Sequence, residues 1–389
     1  MKTQVAIVGA GPAGLLLGHL LRAEGIDVVI VERASPDYVL GRIRAGVLER
    51  VTTGLMDRLG LADRMHREGL PHDGVNLADG ERLIHIDVVG LTGHKVMVYG
   101  QTEITRDLME AAPSRGLEII YDAVDVALHD VDTDTPHLTY TKDGKPFRID
   151  ADFICGCDGF HGPCRKAIPA RDVKIYEKAY PFGWLGILAD VPPCNHEVIY
   201  ANHDHGFALA SMRSMTRSRY YVQVPLTEKL EDWPDDRLWD ELAVRLGPEA
   251  AAHIVRGPAI EKSIAPLRSY VFGMMRFGRL MLAGDSAHIV PPTGAKGLNL
   301  AASDVSYLSD ALIGYYRHGD RDGVAGYSDK ALARVWKSSR FSWQLTKLMH
   351  RFPDSDSFDR RMQVAELDYI ASSEAAQAVI AENYVGLPL

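Results

Sequence analysis

The sequence predicts an α/β fold: a Rossmann-like nucleotide-binding domain, a separate antiparallel-sheet domain and a helical C-terminal region. Three observations carry that prediction. Residues 4–33 read strand, glycine turn, helix, strand, acid. Two later apolar strands each end in an aspartate beside a glycine, at Cys157-Asp158-Gly159 and at Gly284-Asp285. Residues 173–224 alternate apolar and polar side chains, are rich in aromatics and carry little helical period, which marks an antiparallel sheet.

In the first stretch, Val5 to Val8 form the strand and Gly9-Ala10-Gly11-Pro12-Ala13-Gly14 the turn. Gly9 makes the tight turn, Gly11 lets a pyrophosphate approach the backbone, and Gly14 lets the helix pack on the strand. Pro12 suits a first helical turn, where its missing N–H would have no partner anyway. The helix start then offers free N–H groups and a partial positive charge to phosphate. Glu32 closes the second strand, where a carboxylate accepts from ribose hydroxyls and repels a 2′-phosphate. The site is therefore read as one for FAD or NAD. A signal peptide is rejected, because Pro12, four glycines and His19 interrupt the apolar run.

At 389 residues the chain is long enough for two or three domains with substantial cores. Its 43 basic and 52 acidic residues give a net charge of -9, which argues against nucleic acid and against an anionic membrane surface as partners. No uninterrupted apolar stretch is long enough to span a bilayer. Three of the four cysteines, Cys155, Cys157 and Cys164, cluster, but without the spacing of a zinc site, so no metal is expected. Reduced thiols point to the cytoplasm.

Along the chain, 47–59 and 101–110 read as helices, the latter with Thr102 or Thr105 as cap, and 83–98 reads as a strand. Asp143-Gly144 predicts a hairpin turn. Residues 238–245 and 249–255 read as helical. A Pro/Gly loop over 291–297 leads into a helix starting near Gly297, and 304–382 is mostly helical. Taken singly, Tyr200, Ser211, Arg213 and Tyr221 read as strand-surface residues, Tyr384 as a packing aromatic and His72 as an exposed loop histidine.

Asp285 at a strand end suits ribityl hydroxyls, and the helix near Gly297 would aim its positive end at a flavin ring. Here the chain resembles the single-component FAD-dependent aromatic hydroxylases. Segments 37–49, 217–226 and 287–304 carry the resemblance, which extends over essentially the whole chain. The expected organisation is an FAD domain (1–72, 98–175, 267–320), a substrate domain (73–97, 176–266) and a helical region (321–389).

The resemblance implies an FAD site at Gly9, Gly11, Ala13, Gly14, Glu32, Arg42, Ile43, Arg44, Ala45, Gly46, Val47, Gln101, Asp158, Asp285, Leu298 and Asn299. It implies that Arg213 grips a substrate carboxylate as a bidentate fork, with Ser211 and Tyr221 donating hydrogen bonds and Met212 beside them. Tyr200 would bond the substrate phenol, Tyr384 would support Tyr200, His72 would be the solvent end of a proton relay, and the Pro292 carbonyl would accept from the phenol. Transient NADPH would use Arg33, Tyr38, Arg42, Arg44, His161, Arg165 and Arg268. Ala34 stands where the best-studied members have an amide side chain. The implied reaction converts 4-hydroxybenzoate to 3,4-dihydroxybenzoate with NADPH and O2 through a C4a-hydroperoxyflavin, in a cytoplasmic homodimer. A related flavoprotein acting on another phenol fits the same motifs.

Overall fold

The structure, a computed structural model, describes residues 1–41, 46–80 and 82–389. The nucleotide sheet is built on β1 (Lys2–Val8) and β2 (Val28–Val31), joined by α1 (Pro12–Ala23). β1 pairs in parallel with β2 on one side and with the end of β3 (Lys145–Gly156) on the other. The strand Glu118–Ile120 extends the sheet beyond β2 in parallel. Val5, Ala6, Ile7 and Ile30 are fully buried, as expected of parallel strands covered on both faces. Leu15, Leu16 and Leu17 of α1 are fully buried between that sheet and the neighbouring helices. The hairpin predicted at Asp143-Gly144 is present, joining His137–Lys142 to β3.

The second sheet contains β4 (Ile175–Ala189), β5 (Ile199–Asn202), β6 (Ala208–Ser214), β7 (Arg217–Pro225) and β8 (Ala259–Phe272). In space the order is β8, β4, β7, β6, β5, then Gly74–Asp79 and Arg82–Asp87. All neighbours are antiparallel except β5 with Gly74–Asp79. A third short strand of the nucleotide sheet, β9 (Leu280–Leu282), runs parallel to β3. The chain ends in four helices: α2 (Gly297–His318), α3 (Asp322–Met349), α4 (Ser357–Ser372) and α5 (Glu374–Val385). Phe341, Leu345 and Met349 of α3 and Tyr384 of α5 share one apolar core with Trp184, Tyr200 and Phe207 of the second sheet.

Several local expectations need correction. Val47–Leu48 is a strand, and the helix covers only Arg50–Arg58. The 83–98 stretch is broken: the Asp87 carboxylate accepts from the Gly90 N–H at 2.8 Å, caps a short helix, and Val96–Val98 joins a different sheet. A capping aspartate thus outweighs the alternation that read as one strand. Neither Thr102 nor Thr105 caps the helix Gln101–Ala111. Gly100 is its N-cap, and the Thr105 hydroxyl turns back to the Gln101 carbonyl. Of 249–255, only 249–251 is helical, within the short helix Pro248–Ala251. His72 is no exposed loop residue but lies 3% exposed in the strand Leu70–His72.

Candidate active site

β1, β2, β3 and β9 all run in one direction, so Gly9, Glu32, Asp158 and Asp285 come out at the same edge of the sheet. An added Cβ on Gly9 (φ +105°) would lie 2.3 Å from the Cys157 carbonyl oxygen, and one on Gly14 would lie 1.9 Å from the Gly9 carbonyl oxygen. Gly11 differs: nothing stands within 4 Å of its Cβ position. The turn is thus closed on the protein side and open where a pyrophosphate would lie. α1 has no side-chain cap, and neither does Gln101–Ala111, which begins at the half-buried Gln101. The unpaired N–H groups at such starts are anion donors.

Glu32 accepts from the Ala10 N–H at 2.8 Å and from the Ala34 N–H at 2.9 Å, which fixes its carboxylate at the edge and leaves lone pairs for hydroxyl donors. One Asp158 oxygen accepts from the Cys164 N–H at 2.8 Å; the other is buried without a partner among the described residues. Burial raises the Asp158 pKa. An orphaned buried acceptor at this edge calls for a donor from a ligand. Asp285 stands exposed beyond β9. Ala13 is half-buried beside Gly284. Leu298 and Asn299 lie in the first turn of α2. The Asn299 amide oxygen accepts from the Glu49 N–H and the Thr52 hydroxyl, and its nitrogen donates to the Val47 and Ala295 carbonyls. That side chain is spent on pinning the 47–49 segment to α2, which leaves only its backbone N–H for a ligand. These features fit FAD. Arg42, Ile43, Arg44 and Ala45 lie outside the described residues.

The second sheet supplies the other wall. Tyr200 pairs with Leu209, and Leu209 with Tyr221, so the two tyrosines stand on one face. Ser211 lies opposite Arg219, two residues along, on that same face. Gly46 meets this wall: a Cβ there would be 3.0 Å from an Arg213 guanidinium nitrogen. Arg213 therefore sits where the Gly46 segment meets the second sheet. Burial pushes its pKa down, Tyr221 and Glu261 pull it up, and Arg219 pushes it down further. A desolvated guanidinium there gains from a bound carboxylate. Tyr221 lies over Gly186, where a Cβ would come within 2.6 Å of its ring. The Ser211 hydroxyl donates to the Arg219 carbonyl at 2.8 Å, so it must rotate before it can donate to a ligand. Met212 is 2% exposed, in the core that holds Tyr200.

Tyr200 is 3% exposed, and burial pushes its pKa up to about 12. Its ring meets that of Tyr384 edge-on at 6.4 Å, and burial, then Tyr200 itself, raises the Tyr384 hydroxyl. Pro292 is exposed, and its carbonyl already accepts from the Ala295 N–H at 2.9 Å, leaving one lone pair for a ligand. Neither ring nitrogen of His72 has a partner among the described residues, and burial lowers its pKa while Glu197 and Asp73 raise it.

A family model for the FAD binding domain matches residues 2–342. The chain is 55% identical to the p-hydroxybenzoate hydroxylase of Acinetobacter baylyi over 389 residues, covering 100% of this chain and 96% of that one. The chain belongs to the FAD-dependent aromatic hydroxylases. A 3-(3-hydroxy-phenyl)propionate/3-hydroxycinnamic acid hydroxylase of Burkholderia vietnamiensis is 25% identical over 332 residues, 80% of this chain and 57% of that longer protein. The crystal structure of a p-nitrophenol 4-monooxygenase from Pseudomonas putida matches the fold with a TM-score of 0.85 at 18% identity, covering 100% of both chains.

In this hydroxylase the basic residues expected to meet NADPH fall into two groups. Arg33 and the 58% exposed Tyr38 follow Glu32 at the nucleotide edge. His161, Arg165 and Arg268 gather around Phe160. Arg165 donates to the Ser286 and Phe160 carbonyls at 3.0 and 2.6 Å, so its guanidinium is largely committed to the protein. Arg268 stands 3.8 Å from Glu177.

Two arrangements in the hydroxylase escaped sequence reasoning. Lys296 and Glu49, both 4% exposed at the side chain, form an ion pair at 2.5 Å, and the Lys296 ammonium also donates to the Asn383 and Tyr384 carbonyls. This ties the C-terminus to the segment beside the cofactor loop. Trp184 donates to His350 Nε2 at 2.8 Å within a stack that includes Phe182 and Phe207 and reaches Tyr221. No local motif announces either, because the central pairs, Glu49 with Lys296 and Trp184 with His350, lie 247 and 166 positions apart.

Proposed function

We propose that this enzyme hydroxylates 4-hydroxybenzoate next to its hydroxyl group, giving 3,4-dihydroxybenzoate and water, with NADPH as the reductant and O2 as the oxygen source. The observation that carries this reading is the meeting of Arg213 with Gly46: a half-buried arginine on a tyrosine-bearing sheet face, in contact with the segment expected to hold the cofactor. The 55% identity with a p-hydroxybenzoate hydroxylase supports it over the length of the chain.

Arg213 takes the carboxylate as a bidentate fork, Tyr221 and a rotated Ser211 complete the shell, and Met212 packs beside them. Tyr200 then accepts the phenolic proton while handing its own hydroxyl proton on towards Tyr384. Tyr384 supports Tyr200, and His72, whose two ring nitrogens are sealed from solvent here, is the outer end of the relay once that position opens to water. A phenolate is more electron-rich than a phenol, so moving that proton activates the ring carbon to be hydroxylated. The Pro292 carbonyl holds the phenol before it ionises. FAD, when bound by Gly9, Gly11, Gly14, Glu32, Asp158, Asp285 and the start of α2, supplies two-electron redox chemistry and activation of dioxygen. Burial of Tyr200 and Tyr384 keeps water from the reacting ring. Arg33 and Tyr38 would meet the 2′-phosphate of NADPH, and the cluster around Phe160 would take another part of it.

The division into an FAD domain, a substrate domain and a helical C-terminal region is part of the same reading, as is a cytoplasmic homodimer. Trp336, Trp343, Phe358, Met362 and Tyr369 are 42–66% exposed on α3 and α4, which supports a second copy covering that face. No helix among the described residues is long and apolar enough to cross a membrane. The test is aerobic NADPH oxidation with and without 4-hydroxybenzoate. The reading expects strong stimulation; oxidation at the same rate in both would count against it.

A further inference from the structure

The cofactor edge is one end of the parallel strands; the other end carries a second cleft, of about 350 Å³. It lies at the turn that precedes β9, where Gly278 adopts φ +56° and a Cβ would fall 2.4 Å from the Val131 carbonyl oxygen. Arg279 precedes β9 and Asp285 follows it, so the strand separates this cleft from the nucleotide edge.

Arg276, Arg279 and Arg321 line the cleft. Arg279 is occupied: it pairs with Asp134 at 2.6 Å and lies over the Phe153 ring at 4.8 Å. Arg276 and Arg321 have no ion-pair partner among the described residues, and the Nε of Arg276 is sealed from solvent with no hydrogen bond. A buried donor without an acceptor is unfavourable, and a guanidinium fork matches a carboxylate or phosphate. The Tyr315 hydroxyl accepts from Arg279 at 3.4 Å and keeps its own O–H to donate.

We propose that this cleft binds a small oxyanion, inorganic phosphate or the carboxylate of a small organic acid, held by Arg276 and Arg321. Asp132 and Asp134 also line it, so three guanidinium groups face two carboxylates. The balance favours one compact anionic group over a polyphosphate.

The test is calorimetric titration of the FAD-loaded enzyme with inorganic phosphate and, separately, with acetate, in a buffer free of both. Saturable binding of phosphate or acetate, weakened at least tenfold by Arg321→Ala and by Arg276→Met, is the expected result. Whichever probe binds names the source of the oxyanion. Absence of saturation with both, or affinity unchanged in Arg321→Ala, overturns the proposal. Should Arg276→Met fail to fold, Arg321→Ala decides, because that side chain is exposed at the surface.

Discussion

Lowering the pH from 7 to 5 will destabilise this enzyme through His350 in particular. The ring is fully buried. Phe182 stacks on it at 4.8 Å and Phe207 at 4.3 Å. Trp184 Nε1–H can only donate, so His350 Nε2 must accept and Nδ1–H donates to the Thr346 carbonyl at 3.0 Å. Protonation would set a second donor against the Trp184 N–H in an apolar stack. Burial therefore drives the His350 pKa down to about 3. An unfolded histidine titrates near 6.5, so below that pH the unfolded chain binds a proton that the folded one refuses. Stability is lost as pH falls from about 6.5 toward 3, at about 1.4 kcal/mol per unit, hence about 2 kcal/mol at pH 5. His350→Phe keeps the stack, orphans the Trp184 N–H and so costs about 1–3 kcal/mol at pH 7. It also removes the titration. In urea unfolding of FAD-loaded protein, the wild type's advantage over His350→Phe should shrink by about 2 kcal/mol between pH 7 and pH 5. Other histidines titrate in both proteins and cancel. An advantage that stays constant across that range would refute the reasoning.

Arg213→Ala should weaken 4-hydroxybenzoate binding by about 30-fold or more, the cost of leaving a carboxylate without its buried partner, while retained flavin absorbance shows FAD in place. Gly11→Ala should fold normally, since nothing occupies its Cβ position, yet bind FAD more weakly in fluorescence titration; Gly14→Ala should lower stability even without FAD, because its Cβ would overlap the Gly9 carbonyl. Tyr384→Phe should leave substrate binding within about twofold but slow hydroxylation and raise hydrogen peroxide per NADPH consumed, read in a coupled peroxide assay.

The nucleotide edge was legible because its chemistry is local. Gly9, Gly11 and Gly14 lie within six residues, and each steric demand shows in the string. The aspartates that close β3 and β9 were legible for the same reason. The tyrosine-bearing face of the second sheet was legible only as residue types. That Tyr200, Ser211 and Tyr221 share a face depends on the β5–β6–β7 register, which the alternation within one strand does not fix. His72 looked exposed beside Pro71 and Asp73, but pairing of Leu70–His72 with Val96–Val98 buries it. Asn299 shows the same limit: the resemblance placed it at the cofactor, while its side-chain bonds to the Glu49 N–H, the Thr52 hydroxyl and the Val47 carbonyl appear only in three dimensions.

The most direct measurement is oxygen-isotope tracing. In a single incubation of the FAD-loaded enzyme with 4-hydroxybenzoate, NADPH and 18O2, the account predicts 3,4-dihydroxybenzoate carrying one heavy oxygen per molecule formed. Product oxygen drawn from water, or peroxide with no hydroxylated product, would contradict it.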